Sequence, residues 1–411
     1  MMAFALALMV GIPAARLADR DAPLLRFLGE AMLLGVAICA AVLFAMSSLG
    51  VTWSFTRVSV AALLIAIALT LALRPRQVRF EELHWFDLLT VATLAGYALF
   101  ATIGAPPEID FIASWGLKGA TFAHHGGIDW SFLQNPWYRW DHPDYPPLLP
   151  LVFDAMTLAS GGWKPETLGW LYPWFAAGLI LIIRSLFREE LGSPLRASLA
   201  TAAVAPLAMA PWIGIGEGPL IAYGTAGLLL ARRRVMTSAA LLLGCAALSK
   251  NEGTALLIAA MAGLIMVRRW RDVPRLWPAF AIAAPWYIAR TMFSLGTDIA
   301  SGPVLDRVVA RLRAPGELLA AFATYRTGLP LLWIGIAAAV ILGIRFAGDE
   351  IFALGTMAVQ YLFYFGAYFV TEKNVGWHVR WSWERLAAQG MATLAFVAVV
   401  LLYRFATVPR Q

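Results

Sequence analysis

The chain has 411 residues, of which 60% are apolar and only 14% charged. A soluble domain of this length needs roughly a quarter of its residues charged to cover its surface, so a water-soluble enzyme or binding module is excluded. The net charge of +7 sits in arginine clusters between apolar runs, with no basic tail or aromatic-interleaved stripe, which argues against nucleic acid as a partner.

In chain order, apolar runs fall near 2–15, 29–49, 58–73, 86–104, 168–187, 197–213, 215–231, 236–250, 252–267, 276–293, 327–345, 349–370 and 386–404. Many approach the roughly 20 residues that cross a hydrocarbon core. The expectation is an all-α polytopic membrane protein with about 12–13 transmembrane helices. Met1 to Ala15 lacks a positively charged start and is followed by Arg16 and Arg20, so it reads as a first span or its stub rather than a cleavable signal. Cys39 and Cys245 lie inside apolar runs, which speaks against a disulfide framework.

The clusters Arg74/Arg76/Arg79, Arg232/Arg233/Arg234 and Arg268/Arg269/Arg271 mark cytoplasmic connections by the positive-inside rule. A short apolar stretch at 147–160 opens with Pro146-Pro147. Were it a span, the later arginines would fall on both faces, so it is expected as a re-entrant or interfacial helix. Segments 105–167, 294–326 and 371–385 then face outward. All four lysines, Lys118, Lys164, Lys250 and Lys373, fall on that side or at its boundary.

The chemistry gathers in the outer segment 105–167. It holds Glu108, Asp110, Asp129, Asp141 and Asp144, the histidines His124, His125 and His142, and the bases Lys118 and Arg139. Trp115, Trp130, Trp137 and Trp140 are there too, as expected of interfacial anchors. Asp110 stands a few residues beyond the 86–104 run, close enough to the membrane to act as a general base on a lipid-held substrate; it serves equally well as a helix cap. Lys118, about two turns on, shares a helical face with it. It can meet a phosphate as a point charge or simply snorkel. Trp140-Asp141-His142-Pro143-Asp144-Tyr145-Pro146-Pro147 is stiffened by its prolines, a good mount for His142, Asp144 and Tyr145. Further on, Ser249-Lys250-Asn251-Glu252-Gly253 interrupts two apolar runs; Lys250 and Glu252 read as functional or as an ion pair closing a hairpin. Gly376-Trp377-His378 and Trp383-Glu384-Arg385-Leu386 precede the last run, where Arg385 suits a phosphate or anchors the span.

Asp110, Trp115 and Lys118, then His142-Pro143-Asp144-Tyr145-Pro146-Pro147-Leu148, resemble the first extracytoplasmic loop of bacterial GT-C glycosyltransferases. That superfamily includes the protein O-mannosyltransferases and the lipid A aminoarabinose transferases (family-39-like). Lys250, Glu252, His378 and Arg385 extend the likeness over 86–404, leaving 1–85 as an N-terminal extension. The family acid is commonly one of a pair. Here Asp110 is followed by Phe111, and Glu108 stands as the second acid.

The resemblance implies inverting transfer of a sugar from a polyprenyl-phosphate donor to a lipid, glycan or protein acceptor on the outer face of a bacterial inner membrane. Asp110, Glu108 and Asp144 would be the catalytic acids. Lys118, His142, Tyr145, Lys250, Glu252, His378 and Arg385 would hold phosphate or substrate. Asp110, His142, Asp144 and His124-His125 show no metal-specific spacing, so no metal or other cofactor is expected. The rival readings are a transporter or flippase of lipid-linked sugars, for which Gly214-Ile215-Gly216-Glu217-Gly218-Pro219 at a helix junction is the pertinent feature, and a non-catalytic scaffold.

Overall fold

The computed structural model describes residues 1–73, 78–297, 302–324 and 330–407, and of 139–141 and 330–331 the backbone only. Arg74 and Arg76, the start of the 327–345 run, and the side chains of Arg139, Trp140 and Asp141 therefore lie outside the described residues. Among the described residues the chain is helical and has no strand.

An N-terminal group of three helices, α1 (Met2–Ala18), α2 (Leu24–Ser48) and α3 (Phe55–Leu71), is followed by α4 (Asp87–Thr102). The outer segment then folds as a π-helical turn (Phe111–Trp115), α5 (Gly116–His125), α6 (Trp130–Gln134), a 3₁₀ turn (Pro136–Asp141), α7 (Leu148–Ser160) and α8 (Pro165–Leu168). Next come α9 (Leu171–Leu191), α10 (Pro194–Val204), α11 (Glu217–Arg232), α12 (Met236–Ser249), α13 (Asn251–Met266) and α14 (Trp277–Met292). The chain finishes with α15 (Val304–Arg313), α16 (Gly316–Thr324), α17 (Pro330–Gly343), α18 (Glu350–Val370), α19 (Val375–Gln389) and α20 (Met391–Thr407).

Three helical stretches, Leu24–Ser48, Pro165–Leu191 and Glu350–Val370, are each long and apolar enough to cross a membrane. Val375–Gln389 with Met391–Thr407 makes a further candidate, bent by 42°. With the shorter apolar helices around them, this is the make-up of an α-helical integral membrane protein.

Among the described residues three helices, or four with the bent pair taken as one span, reach that length against the 12–13 spans expected, and one expected run is broken outright. The run 197–213 is helical only to Val204, passes through a 3₁₀ turn at Ala205–Ala208 and continues irregularly to 216. Pro206 and Pro211 each lack the N–H a helix needs, and Gly214 takes φ +97°, so the helix cannot continue. The irregular backbone is clamped from both sides. Tyr97 of α4 donates its hydroxyl to the Ala210 carbonyl at 2.6 Å, and Tyr172 of α9 donates to Ile215 at 2.7 Å.

The segments 294–326 and 371–385, expected to face outward, are largely helical among their described residues, as α15, α16 and most of α19. The 147–160 stretch forms α7, a short helix buried against α2 and α5.

The N-terminal helices belong to the same packed body. Gly11 of α1 and Gly35 of α2 let the two backbones touch: a Cβ on either would stand 2.0 Å and 1.9 Å from the carbonyl oxygens of Ala31 and Ala7. This is small-residue packing, which brings membrane helices together where no hydrophobic drive separates helix from lipid.

The charges segregate by end. Helix α11 starts at Glu217 among the outer-segment residues and ends at Arg232, which pairs with Glu190 at 2.8 Å and with Glu350. Around Arg232, Arg404 binds Glu190 and Glu350 at 3.1 and 2.7 Å, and Arg233 binds Glu189 at 2.9 Å. The arginine-rich end and the outer segment thus cap opposite ends of one helix of about 24 Å.

Candidate functional site

Six chain segments meet at the end of the bundle opposite the Arg232 cluster. The first is 108–118. Asp110 precedes the π-helical turn without capping it; its carboxylate instead accepts from Arg385 of α19. The helix cap, one of the two readings that spacing leaves level, is therefore not formed. Arg385 also approaches Glu217 at 3.8 Å. Glu217, the first residue of α11, is only 1% exposed and accepts from Lys250 Nζ at 2.8 Å. Lys250 reaches Glu252 as well, at 3.0 Å. The result is a continuous chain of alternating charge: Asp110, Arg385, Glu217, Lys250, Glu252.

Lys250 closes α12 and opens α13, and the two helices fold back tightly there. A Cβ on Gly253 would lie 1.9 Å from the Ala246 carbonyl oxygen, so the Lys-Asn-Glu-Gly hairpin requires that glycine. Its ion pair and its place in the charged chain are one arrangement, since Lys250 serves both glutamates.

The second half of the site is built on 142–145. His142 adopts the left-handed conformation, φ 51°, at the end of the 3₁₀ turn, and its carbonyl accepts from Lys118 Nζ. The Tyr145 ring stacks on His142 at 4.5 Å and lies between two ammonium groups, 5.9 Å from Lys118 and 5.8 Å from Lys250. Trp115 packs beside it, 5.6 Å between ring centres. Asp144 is fully buried, accepting from Asn251 at 2.8 Å and facing Arg290 of α14 at 3.5 Å. Its backbone carbonyl receives Trp286 Nε1 at 3.3 Å. Next to it, the Tyr287 and Thr254 hydroxyls share a hydrogen bond of 2.5 Å.

Three acids of the site, Asp110, Glu108 and Asp144, differ in ionisation. Burial pushes the Asp110 carboxyl up, but the Arg385 guanidinium and its hydrogen bond, helped by Lys250 and His142, more than offset this and hold it below the usual carboxylate range. Glu108 is pushed up, first by burial and then by Asp110 and Glu217, with Arg385 opposing. Asp144 is also raised by burial, against Arg290, Asn251, His142 and Lys118. Asp110 is thus the acid held ionised, while Glu108 and Asp144 are biased toward the protonated form.

His378 packs edge-on against Tyr368, 5.0 Å between ring centres, and the Tyr368 hydroxyl bonds Ser382 at 2.8 Å. It therefore stands on the α18–α19 side of the site. His124 and His125 end α5 at the exposed surface, where His125 faces Asp129 at 3.9 Å. Among the described residues no group of three or more His, Cys, Asp or Glu side chains is placed to hold a metal ion.

Glu217 carried only a transport connotation in the sequence, and Arg290, Asn251 and Tyr287 carried none. The one available signal was Glu217 itself, an acid between glycines at a helix junction. Arg290 looks like an ordinary span-end arginine until α14 is packed against 142–145.

An apolar cavity of about 740 Å³ adjoins this cluster. Its walls come from α1, α2, α3, α7, α12 and α14, and its outer end is lined by Pro147, Leu248, Pro285 and Trp286. Trp286 faces the cavity and also bonds the Asp144 backbone, so cavity and cluster share a wall. No protein-family model, curated protein or solved structure matches this chain.

Proposed function

We propose that this protein is a membrane glycosyltransferase of GT-C type that moves a sugar from a polyprenyl-phosphate donor to an acceptor at the outer face of the membrane. The observation that carries this reading is the junction at Trp286: a long apolar cavity on one side, an ionic cluster that includes the ionised, half-buried Asp110 carboxylate on the other. A lipid-phosphate sugar has that same division, an apolar tail joined through an anion to a polar headgroup.

Depth agrees with it. Helix α12 runs 14 residues before Lys250, about 21 Å. With its arginine-flanked start at the inner surface, the cluster sits below the far edge of a core roughly 30 Å thick. A lipid-anchored phosphate reaches that level without leaving the bilayer.

The cluster holds five acids (Glu108, Asp110, Asp144, Glu217, Glu252) and four bases (Lys118, Lys250, Arg290, Arg385), so an arriving phosphate needs a cation released to it. Lys250 and Arg385 are each engaged by two carboxylates. Among the described residues Arg290 has one long contact to an acid, and that acid, Asp144, is biased toward neutrality by burial. The phosphate therefore meets Arg290 with Lys118 beside it, one helical turn beyond Trp286, and Asp144 takes up a proton.

In the reaction the acceptor hydroxyl oxygen forms a bond to the anomeric carbon from the face opposite the phosphate. The bond from that carbon to the phosphate oxygen breaks, and the phosphate departs with the electron pair toward Arg290 and Lys118. The hydroxyl proton goes to Asp110. A carboxylate of low pKa accepts it because the proton turns acidic only as the oxygen bonds to carbon. Arg385 holds Asp110 ionised and aimed, and the anomeric configuration inverts.

A second reading draws on Glu217 and Lys250, a buried pair at two helix breaks, which is also how transporters build sites. The test is sugar transfer by purified protein in lipid with a panel of polyprenyl-phosphate sugars, alongside movement of the same lipids across liposomes. Transfer in wild type supports the enzyme. Lipid movement without transfer supports the flippase.

A further inference from the structure

We infer that the N-terminal helices α1–α3 act as a ruler that sets how long an isoprenoid tail the donor carries. This rests on the donor-lipid reading above and adds a specificity element to it.

The cavity follows α2 from Leu34 to Ser48, about 21 Å of helix. At its inner end it is bounded by Ala14, Leu17 and Ala18 of α1 and by Thr237 of α12. Immediately past Ala18 and Thr237 the lining stops being apolar. Asp19 pairs with Arg26 at 2.8 Å, Arg26 also binds Glu189 at 2.8 Å, and Ser238 donates to the fully buried Glu30 at 2.6 Å. An apolar chain extended past this point would strip buried charged groups of their partners, which costs far more than the added contact gains. The slot is thus anion-tolerant at its outer end, apolar along its length and floored by ion pairs.

That profile selects one occupant, a single slender apolar chain with an anionic head. Water is a poor filler, since an almost wholly apolar cavity offers it no partners. The wall also cannot stretch: the backbone contact of α1 with α2 at Gly11 and Gly35 leaves no slack between them. Small residues on α2, Ala37 and Ala41 among them, provide the width.

The experiment uses the whole, lipid-depleted protein in detergent with polyprenyl monophosphates of increasing chain length. Binding is read by native mass spectrometry, and sugar transfer is measured on the matching donors. The proteins are wild type, Ala18→Phe at the floor and Ala37→Phe midway. For wild type, each isoprene carbon that enters the groove tightens binding by about fourfold until the chain reaches the floor, and further length, which must leave the groove, adds nothing. Ala37→Phe moves that limit to shorter chains and weakens the longest by on the order of a hundredfold. Ala18→Phe moves it less, and the shortest chain binds all three proteins alike, which also shows that they are folded. A limit common to all three proteins, or an equal loss at every length, overturns the ruler. A shifting limit without sugar transfer leaves the ruler standing and sinks the transferase reading; transfer indifferent to chain length does the reverse.

Discussion

Replacing Asp110 by Asn removes one negative charge and keeps the shape. In the folded protein that carboxylate meets Arg385, but the pair is partly open to solvent, with 37% of the Asp110 side chain and 21% of Arg385 exposed. Glu217, 3.8 Å from Arg385, still neutralises the guanidinium after the change. The stability cost is therefore that of a screened ion pair, about 1 kcal/mol or less. The catalytic cost is different in scale: losing a positioned general base lowers turnover by about 100- to 10,000-fold.

The assay is transfer from a polyprenyl-phosphate sugar as a function of pH, with thermal unfolding measured on the same preparations. Because Asp110 is held below its usual range, the acid limb of wild-type kcat/KM falls below about pH 4. Its stabilising effect follows the same sign: complete above the unfolded value near pH 4, and lost as the pH falls through the lowered folded value. Glu108 is raised, so a base at that position would give an acid limb above about pH 4.3. An Asp110→Asn protein that unfolds near the wild-type temperature and turns over at the wild-type rate refutes the assignment. An acid limb above the ordinary glutamate value moves the base to Glu108.

Three other changes test the rest of the site and its frame. Lys250→Met strands Glu217 and Glu252 in a buried setting and is expected to cost about 3–5 kcal/mol; adding Glu217→Gln recovers most of it in thermal unfolding, and strict additivity of the two would show that they do not interact. Arg290→Met is expected to lower kcat/KM for the donor about 10- to 100-fold, with kcat falling because the leaving phosphate loses its cation; an unchanged kcat/KM would place Arg290 outside the donor site. Gly11→Leu, whose Cβ would stand 2.0 Å from Ala31 O, should force α1 from α2 at a cost of about 1–3 kcal/mol, seen as a lower unfolding midpoint and faster proteolysis at the 19–23 turn. An unchanged midpoint would mean that the two helices are not held in backbone contact.

Much of the architecture follows from local sequence. Backbone groups in an apolar medium must bond within their own segment, so each long apolar run becomes a helix. The periods and breaks of those runs are legible one segment at a time. The exception, 197–213, was legible too: hydropathy is blind to Pro206 and Pro211, which end the helix through missing N–H groups rather than through polarity. Asp110, Lys118, His142, Asp144, Lys250 and Arg385 stood out because charge is scarce in this chain.

What local sequence cannot contain is pairing across the fold. Asp110 and Arg385 are 275 residues apart, and Asn251 meets Asp144 across 107. Which acid stays ionised depends on those partners and on burial, both of which exist only after α11, α13, α14 and α19 have packed around the outer segment. The same holds for Glu217 and Arg290, ordinary helix-end charges in sequence that become parts of one cluster in space. The cavity is still further from sequence, since it is the space that α1–α3 leave against α7, α12 and α14. The chain's own pattern determined a bundle of membrane helices with its charged residues gathered at the helix ends; packing alone decided which charges face each other and where the apolar cavity lies.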